Sequence, residues 1–277
     1  MSQPISFPPD VFARLEPDIY LQRHLAVDVR PDGRTFSEFR PTTIELGTLE
    51  NSIGSALVRS GNTVAVCAIT ASTSESTGGV FPNVVINRGG SSTAPPSPEE
   101  MVLSQRVYEV VRSSDLYQHY EENFVLQECQ NRNLVLNANV QVLSRSGPSF
   151  DVAFNSVIQA LKRATIPRIY WDDDSQQIKI DNDEKQARKL TFELQSSSSF
   201  GVVNIKEKSQ VAVLCDLEGE AEENCVRSRV NVIAQPGGML TAVSVCIVDN
   251  DQSIQLGEKE LSEAIDLAQQ RSRELSV

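Results

Sequence analysis

RPDGRTFSEFRP (residues 30–41) concentrates three arginines, two acids, two prolines and one glycine in twelve residues. Pro31, Asp32 and Gly33 favour a tight turn, because proline presets φ, aspartate bonds the nearby backbone and glycine accepts positive φ. A turn of this kind is common on protein surfaces when it stands alone. Its significance depends on the residues that follow it.

The sequence after the turn alternates apolar and polar residues, as antiparallel strands do. Three strands are predicted between Thr42 and Thr73. RPDGR, EFRP and then GSALVRSGNTVAVCAI (Gly54–Ile69) resemble the start of an RNase PH-type domain. The same spacing opens phosphorolytic exoribonucleases and the ring subunits of the RNA exosome. The resemblance extends from about Arg30 to the C-terminus and is strongest before residue 70.

A succession of strands followed by a helix occurs twice in the chain. A strand at Asn133–Leu143 precedes a helix at Ser149–Ala164, and a last helix is predicted at about Glu258–Glu274. Between these two helices, strands are predicted at 169–171, 178–180, 190–194, 200–205, 211–215, 226–234 and 240–248. We therefore predict an α+β fold of two similar halves packed as one unit, about 30–167 and 168–277, which is also the RNase PH-like architecture that the resemblance implies.

Residues 1–29 are predicted to form a helical arm ahead of this domain. Pro17 interrupts the helical pattern, so two short helices are expected. The arm packs either on its own domain or on a neighbouring subunit, and the resemblance to non-catalytic exosome subunits includes such an arm.

Residues 71–98 are rich in Ser, Thr, Gly and Pro and predict a loop, broken only by a short strand at 84–86. Ser97, Pro98 and Glu100 then form a capping box that begins a helix ending near Arg112.

Composition restricts the function. The net charge is −12 and the pI about 4.7, which disfavours a protein that binds RNA alone. No apolar run is long enough to span a membrane, and no signal peptide is recognised. The five cysteines and two histidines show no metal-ligand spacing, so core thiols are expected and no metal or cofactor is predicted.

Two sets of catalytic parts are missing by comparison with active members of the resembled family. The segment where the family's aspartate is expected contains Arg227 and Ser228, and Ser91–Leu103 contains no arginine for a phosphate site. The acidic residues that precede Arg227 are expected to form a solvated turn (Asp216, Glu218, Glu220, Glu222 and Glu223). The run Asp172–Asp174 is also expected to face water rather than bind a divalent ion.

Eight residues are candidates for other roles. The resemblance places the region of Arg88 near a ring channel, so Arg88 and Arg145 are weighed as RNA contacts against solvated loop positions. Arg30 and Arg34 are expected to fix the turn by pairing with Asp28, Asp32 or Glu38. The predicted structural motif comprises Arg30, Asp32, Gly33, Arg34, Glu38 and Arg40.

The resulting hypothesis is a non-catalytic ring subunit of the eukaryotic RNA exosome. The resemblance implies other RNase PH-like subunits, RNA-binding cap subunits and a separate exoribonuclease as partners, with single-stranded RNA passing through the shared pore. It also implies a location in the nucleus, including the nucleolus, and in the cytoplasm. The alternatives are an active phosphorolytic 3′-to-5′ exoribonuclease that forms its own ring, and an RNA-binding module that acts alone.

Overall fold

Each half of the chain builds one main β-sheet. The computed structural model describes residues 8–89, 95–129, 132–173, 175–181, 186–247 and 256–276. Helices and strands occur together, and each main sheet is followed by a helix, which confirms the predicted α+β fold class. The division of the chain at residues 29/30 and 167/168 stays a prediction.

The first sheet has six strands in the order β1-β2-β3-β6-β4, with β5 beside β6. The strands β1 to β3 form the antiparallel meander that the alternation predicts. β4 lies parallel to β6, which requires a crossover through a helix. The bounds are β1 Thr42–Leu46, β2 Gly54–Ser60, β3 Thr63–Ser74, β4 Gly79–Ile86, β5 Val125–Leu126 and β6 Arg132–Ser144.

The long loop predicted at residues 71–98 is partly wrong. β3 continues through the polar run to Ser74, and β4 already begins at Gly79. The polar end of β3 shows no alternation of apolar and polar residues, because its side chains are mostly exposed. The sequence pattern therefore did not predict a strand there. This end of β3 is held in the sheet by a regular ladder to β6, in which Ser72 pairs with Val135.

Three helices serve the first half. α3 (Pro98–Arg112) is the crossover helix and begins at the predicted capping box, while α4 (Tyr120–Phe124) is short. α5 (Phe150–Arg163) packs across β2 and β3. A Cβ atom on Gly54 would lie 2.5 Å from the carbonyl oxygen of Ala160, so β2 approaches α5 closely only because residue 54 is glycine.

The second sheet is antiparallel, in the order β12-β11-β13-β14. Its strands are β11 Ser196–Ile205, β12 Gln210–Cys215, β13 Ser228–Ala234 and β14 Leu240–Cys246. Helix α7 (Glu258–Leu275) packs on one face, and α5 also contacts β11. Gly238, at φ +87°, turns the predicted hairpin between β13 and β14.

Two small ribbons connect the halves: β7 (Thr165–Ile166) pairs with β10 (Arg188–Lys189), and β8 (Arg168–Asp172) with β9 (Gln177–Asp181). The strand predicted at 190–194 is wrong. Its alternate apolar residues do pack on the first core, but the amide of Asn123 bonds both the N–H and the carbonyl of Thr191. A side chain thus takes the place of a neighbouring strand.

The arm consists of two helices, α1 (Pro9–Leu15) and α2 (Pro17–Ala26), separated at Glu16 as Pro17 predicts. Leu21 and Leu25 of α2 are buried against the second sheet and the segment between β12 and β13. The described arm therefore packs on its own domain. Val11, Leu15 and Ile19 remain exposed along its outer side.

Ser97→Ala should lower the free energy of unfolding by about 1 kcal/mol, because the Ser97 hydroxyl accepts from the Glu100 N–H at the start of α3. Urea denaturation of the variant measures this loss. Ser113→Ala, which removes an exposed serine at the other end of α3, is the matched control and should change little. Equal effects of the two substitutions would contradict the capping role.

Candidate functional site

Arg30 is almost fully buried, and each nitrogen of its guanidinium group donates a hydrogen bond. Nε and Nη2 donate to the two carboxylate oxygens of Glu222 at 2.8 and 2.5 Å. Nη1 and Nη2 also donate to the carbonyls of Cys215 and Asp216. A planar fork matched to a carboxylate in this way gives both charge compensation and a fixed orientation.

Arg40 forms a second fork, with Asp216. Nε and Nη2 donate to the carboxylate of Asp216 at 2.8 and 2.5 Å, and Nη1 donates to Thr63 Oγ1 and to the carbonyl of Ser146. Thr63 and Ser146 belong to the first half, whereas Asp216 belongs to the second. Arg40 therefore ties the two halves together.

Arg34 completes what we call the arginine cluster (Arg30, Arg34 and Arg40). Its Nε donates to Asp32 at 2.6 Å, and its other nitrogens donate to the carbonyls of Glu38 and Asp216. Asp32 also accepts from the Arg34 N–H, and Gly33 lies at φ +86°, as the turn requires. The pairing expected within the motif is thus present for Arg34 but not for Arg30.

The acidic segment after β12 is not the solvated turn that was expected. Asp216 and Glu222 are the partners of the two buried arginines, and residues 219–225 form helix α6 (Gly219–Cys225). Glu222 also accepts from the Glu218 N–H at the start of this helix. The sequence shows a run of acids, but their partners lie 176 to 192 residues away.

Arg88 lies beside the start of α3, where it pairs with Glu100 while keeping half of its side chain exposed. The Glu100 carboxylate also accepts from the N–H groups of Ser97 and Ile86, and these bonds lower its pKa. Arg88 is therefore held at the junction of β4 and α3. Residues 90–94, which follow it, lie outside the described part of the chain.

Arg145 bridges the two halves at a neighbouring point. It pairs with Glu99 at 2.5 Å on the first turn of α3 and with Glu223 on α6. The structure thus places the two candidate RNA-binding arginines against consecutive acids of α3. Both side chains are already paired, and a contact with RNA stays a prediction for each of them.

A cleft of about 370 Å³ opens between the start of α5 and strands β13 and β14. Three arginines line it: Arg106, Arg227 and Arg229. The sequence did not show that they share one cleft, because Arg106 is far along the chain from the other two. Arg106 stacks over the ring of Phe150, with its guanidinium carbon 4.3 Å from the ring centroid. Arg229 donates to the backbone carbonyls of Glu223 and Val226.

The two acids beside this cleft, Glu223 and Asp151, already have ion-pair or hydrogen-bond partners. Glu223 lines it but pairs with Arg145. Asp151 accepts from the Ser197 hydroxyl at 2.5 Å and from the Asn231 amide at 3.0 Å. Desolvation raises the pKa of Asp151, and the hydrogen bond from Ser197 offsets only part of that rise. Sequence reasoning did not single out Asp151 or Asn231.

The positions predicted to replace the family's catalytic aspartate lie at the edge of the cleft. Arg227 is exposed there, while the Ser228 hydroxyl is buried and has no hydrogen-bond partner within the described residues. Across those residues, no three His, Cys, Asp or Glu side chains are arranged to hold a metal ion. Asp172 of the predicted acidic run pairs with Lys179, and Asp174 is outside the described residues.

The cysteine prediction is confirmed for Cys67, Cys129 and Cys215, which are buried. Burial raises the pKa of the Cys215 thiol to about 12. Cys246 differs, because it is exposed on β14. None of the helices in the described ranges combines the length and hydrophobicity that a membrane span requires.

Comparison with known proteins identifies the family. The model of the "3' exoribonuclease family, domain 1" (RNase PH) matches residues 38–167. An exosome complex component, rrp43 of Schizosaccharomyces pombe, is 31% identical over 70% of this chain and 74% of its own length. The chain belongs to the RNase PH-like family of exosome components.

More distant members of this family cover almost the entire chain. Exosome complex component Rrp42 of Methanopyrus kandleri is 26% identical over 89% of each protein. A chain of the Archaeoglobus fulgidus exosome, solved with RNA bound to the active site, superposes with a TM-score of 0.70 at 20% identity over 96% of this chain and 98% of that one. At this identity the superposition establishes the RNase PH-like fold alone.

Glu222→Gln should destabilise the protein by about 3–5 kcal/mol, because it leaves the buried guanidinium of Arg30 without a counter-charge. Urea denaturation measures the effect. Glu220→Gln removes an exposed glutamate from the same helix and should stay within about 0.5 kcal/mol of the wild type. A loss below 1 kcal/mol for Glu222→Gln, about the size of an exposed pair, would contradict the buried role.

Stability should also depend on the ionisation of Asp216. Burial opposes its charge, but the hydrogen bonds and charge of Arg40 outweigh burial and lower the pKa of Asp216. The stability it supplies is therefore complete above the ordinary aspartate pKa of about 4 and is lost as the pH falls through the lower folded pKa.

Asp216→Asn should accordingly be less stable than the wild type at pH 7 and lose less stability between pH 5 and pH 2. Urea denaturation across that pH range measures both quantities. Asp266→Asn, at an exposed position of α7, should follow the wild-type curve. Parallel curves for Asp216→Asn and the wild type would show that Asp216 is not the group that titrates.

Proposed function

We propose that the chain is a non-catalytic ring subunit of the RNA exosome. It supports 3′-to-5′ RNA processing and degradation, including that of ribosomal RNA, which a separate exoribonuclease carries out. Its partners are other RNase PH-like ring subunits, RNA-binding cap subunits and that nuclease, with single-stranded RNA in the shared pore. The complex acts in the nucleus, including the nucleolus, and in the cytoplasm.

The observation that carries this proposal is that Asp216, Glu222 and Glu223, in the acidic segment after β12, are all paired with arginines. Phosphorolysis needs a carboxyl group that can reach the scissile phosphate or a metal ion beside it. Arg227 and Ser228 supply no carboxyl, and Glu223 is paired with Arg145. Asp216 and Glu222 form ion pairs with the buried Arg40 and Arg30, and these pairs hold the halves together.

Net charge supports a role inside an assembly. At −12, the free chain repels the phosphate backbone, so any RNA contact requires local cations and the positive field of neighbouring subunits. Arg88 and Arg145 are the proposed contacts. They lie at one end of α3, and Arg88 keeps about half of its side chain exposed for such a contact.

One observation favours a second function, active phosphorolysis. Arg106, Arg227 and Arg229 line a single cleft and resemble a set of cations for phosphate. Asp151 contacts the cleft-lining residue Asn231, and its raised pKa suits a proton donor. An active enzyme would transfer the terminal nucleotide from the RNA 3′ end to inorganic phosphate and release a nucleoside diphosphate.

A phosphorolysis assay separates the two functions. The purified chain, incubated with 3′-labelled single-stranded RNA, inorganic phosphate and Mg²⁺, should release no nucleoside diphosphate above the level of an Asp151→Asn, Arg106→Ala double variant. The complex that contains the separate nuclease should degrade the same RNA equally well with wild-type chain and with this variant. Phosphate-dependent release by the wild type, abolished in the variant, would establish the enzyme instead.

A further inference from the structure

The β4 edge of the first sheet is closed by side chains. On β4, the N–H groups that do not face β6 all have partners, and Pro82 among them has no N–H. The Gly78 and Val80 N–H groups donate to the hydroxyls of Tyr120 and Tyr117, Val84 to Ser104 Oγ, and Ile86 to the Glu100 carboxylate. No backbone donor of this edge is left for another strand.

The β14 edge of the second sheet, in contrast, is open. β14 pairs with β13 on one side, and within the described residues nothing hydrogen-bonds the backbone of Thr241–Cys246 on the other. The sequence from Met239 to Ile247 contains neither a charged residue nor a proline. Its exposed large apolar side chains are Met239, Leu240, Val243, Val245 and Ile247.

The apolar side chains of β14 extend an existing core. Val243 and Val245 pair directly with Val232 and Val230 of β13, and directly paired residues share a face of the sheet. Val230 and Val232 are buried under α7 together with Ala264, but α7 does not reach far enough to cover β14. The core under α7 therefore ends at an exposed apolar rim.

An edge of this kind is a liability for a free protein. Natural proteins protect open edges with charges, prolines, bulges or a covering element, because unpaired N–H and C=O groups template aggregation. This chain applies such protection to β4, whereas the described part of β14 has only a register shift at its first residues, opposite Ile233 and Ala234. The difference indicates that β14 is covered in the functional state.

We propose that the outer edge of β14 is a docking strand onto which a neighbouring RNase PH-like subunit adds an edge strand of its own, so that the sheet continues across the interface. The inference rests on the proposed function, which supplies the neighbours. A row of unpaired backbone groups roughly 20 Å long selects a strand rather than a helix. A neighbour of the same fold offers sheet edges, and its apolar face would complete the core under α7.

The test uses two valines with matched exposure. Val245 on β14 is 44% exposed and Val85 on the closed β4 edge is 45% exposed. Val245→Lys should weaken binding of the chain to its co-expressed RNase PH-like partners about tenfold or more, whereas Val85→Lys should stay within about twofold. Thermal unfolding of each variant verifies that it is folded. Equal binding by Val245→Lys and wild type, or an equal loss for Val85→Lys, would overturn the proposal.

Hydrogen exchange gives a second readout that requires no substitution. Amides of Thr241–Cys246 that exchange fast in the free chain should become protected in the assembly, while those of β4 stay unchanged. Protection that is already complete in the free chain, or that arises from self-association of this chain, would overturn the choice of partner. Failure of the wild type to bind any RNase PH-like partner would instead contradict the proposed function, so the two failures are distinguishable.

Discussion

Two buried arginine–carboxylate forks, Arg30 with Glu222 and Arg40 with Asp216, hold the halves of this protein in one arrangement. Each guanidinium is desolvated, and its charge is tolerated because a carboxylate pairs with it and every one of its nitrogens donates a hydrogen bond. The forks fix the turn at residues 30–34, the β12–α6 connection and the loop before α5 at once. Arg145 lies beside that junction, where it pairs with Glu99 at the start of α3 and with Glu223 of α6, which lines the cleft.

This junction links the fold to the proposed loss of catalysis. From the sequence alone, the acidic segment after β12 is expected to be a solvated turn. In the structure its two buried acids are structural partners of arginines, and a third acid, Glu223, pairs with Arg145. The proposed loss of catalysis rests on these three carboxyl groups being paired with arginines.

The sequence predicted the structural elements that depend on local residue patterns. Strands β1 to β3, the cap at Ser97, the break at Pro17 and the hairpin at Gly238 follow from alternation and turn chemistry. It could not predict pairs formed across 176 to 192 residues, the cleft arginines, or the use of Asn123 as a substitute strand partner for Thr191. These depend on which residues the finished fold brings together. The open edge of β14 was visible only as an apolar run, because its exposure depends on where α7 ends.

The native mass and composition of the assembly recovered with a gently tagged copy of this chain test the ring-subunit role most directly. The expected result is a hetero-oligomer with one copy of this chain, several distinct RNase PH-like proteins and a separate nuclease. A homo-hexamer of this chain would contradict that role, and it would direct attention to Asp151 and the three cleft arginines as the parts of a working active site.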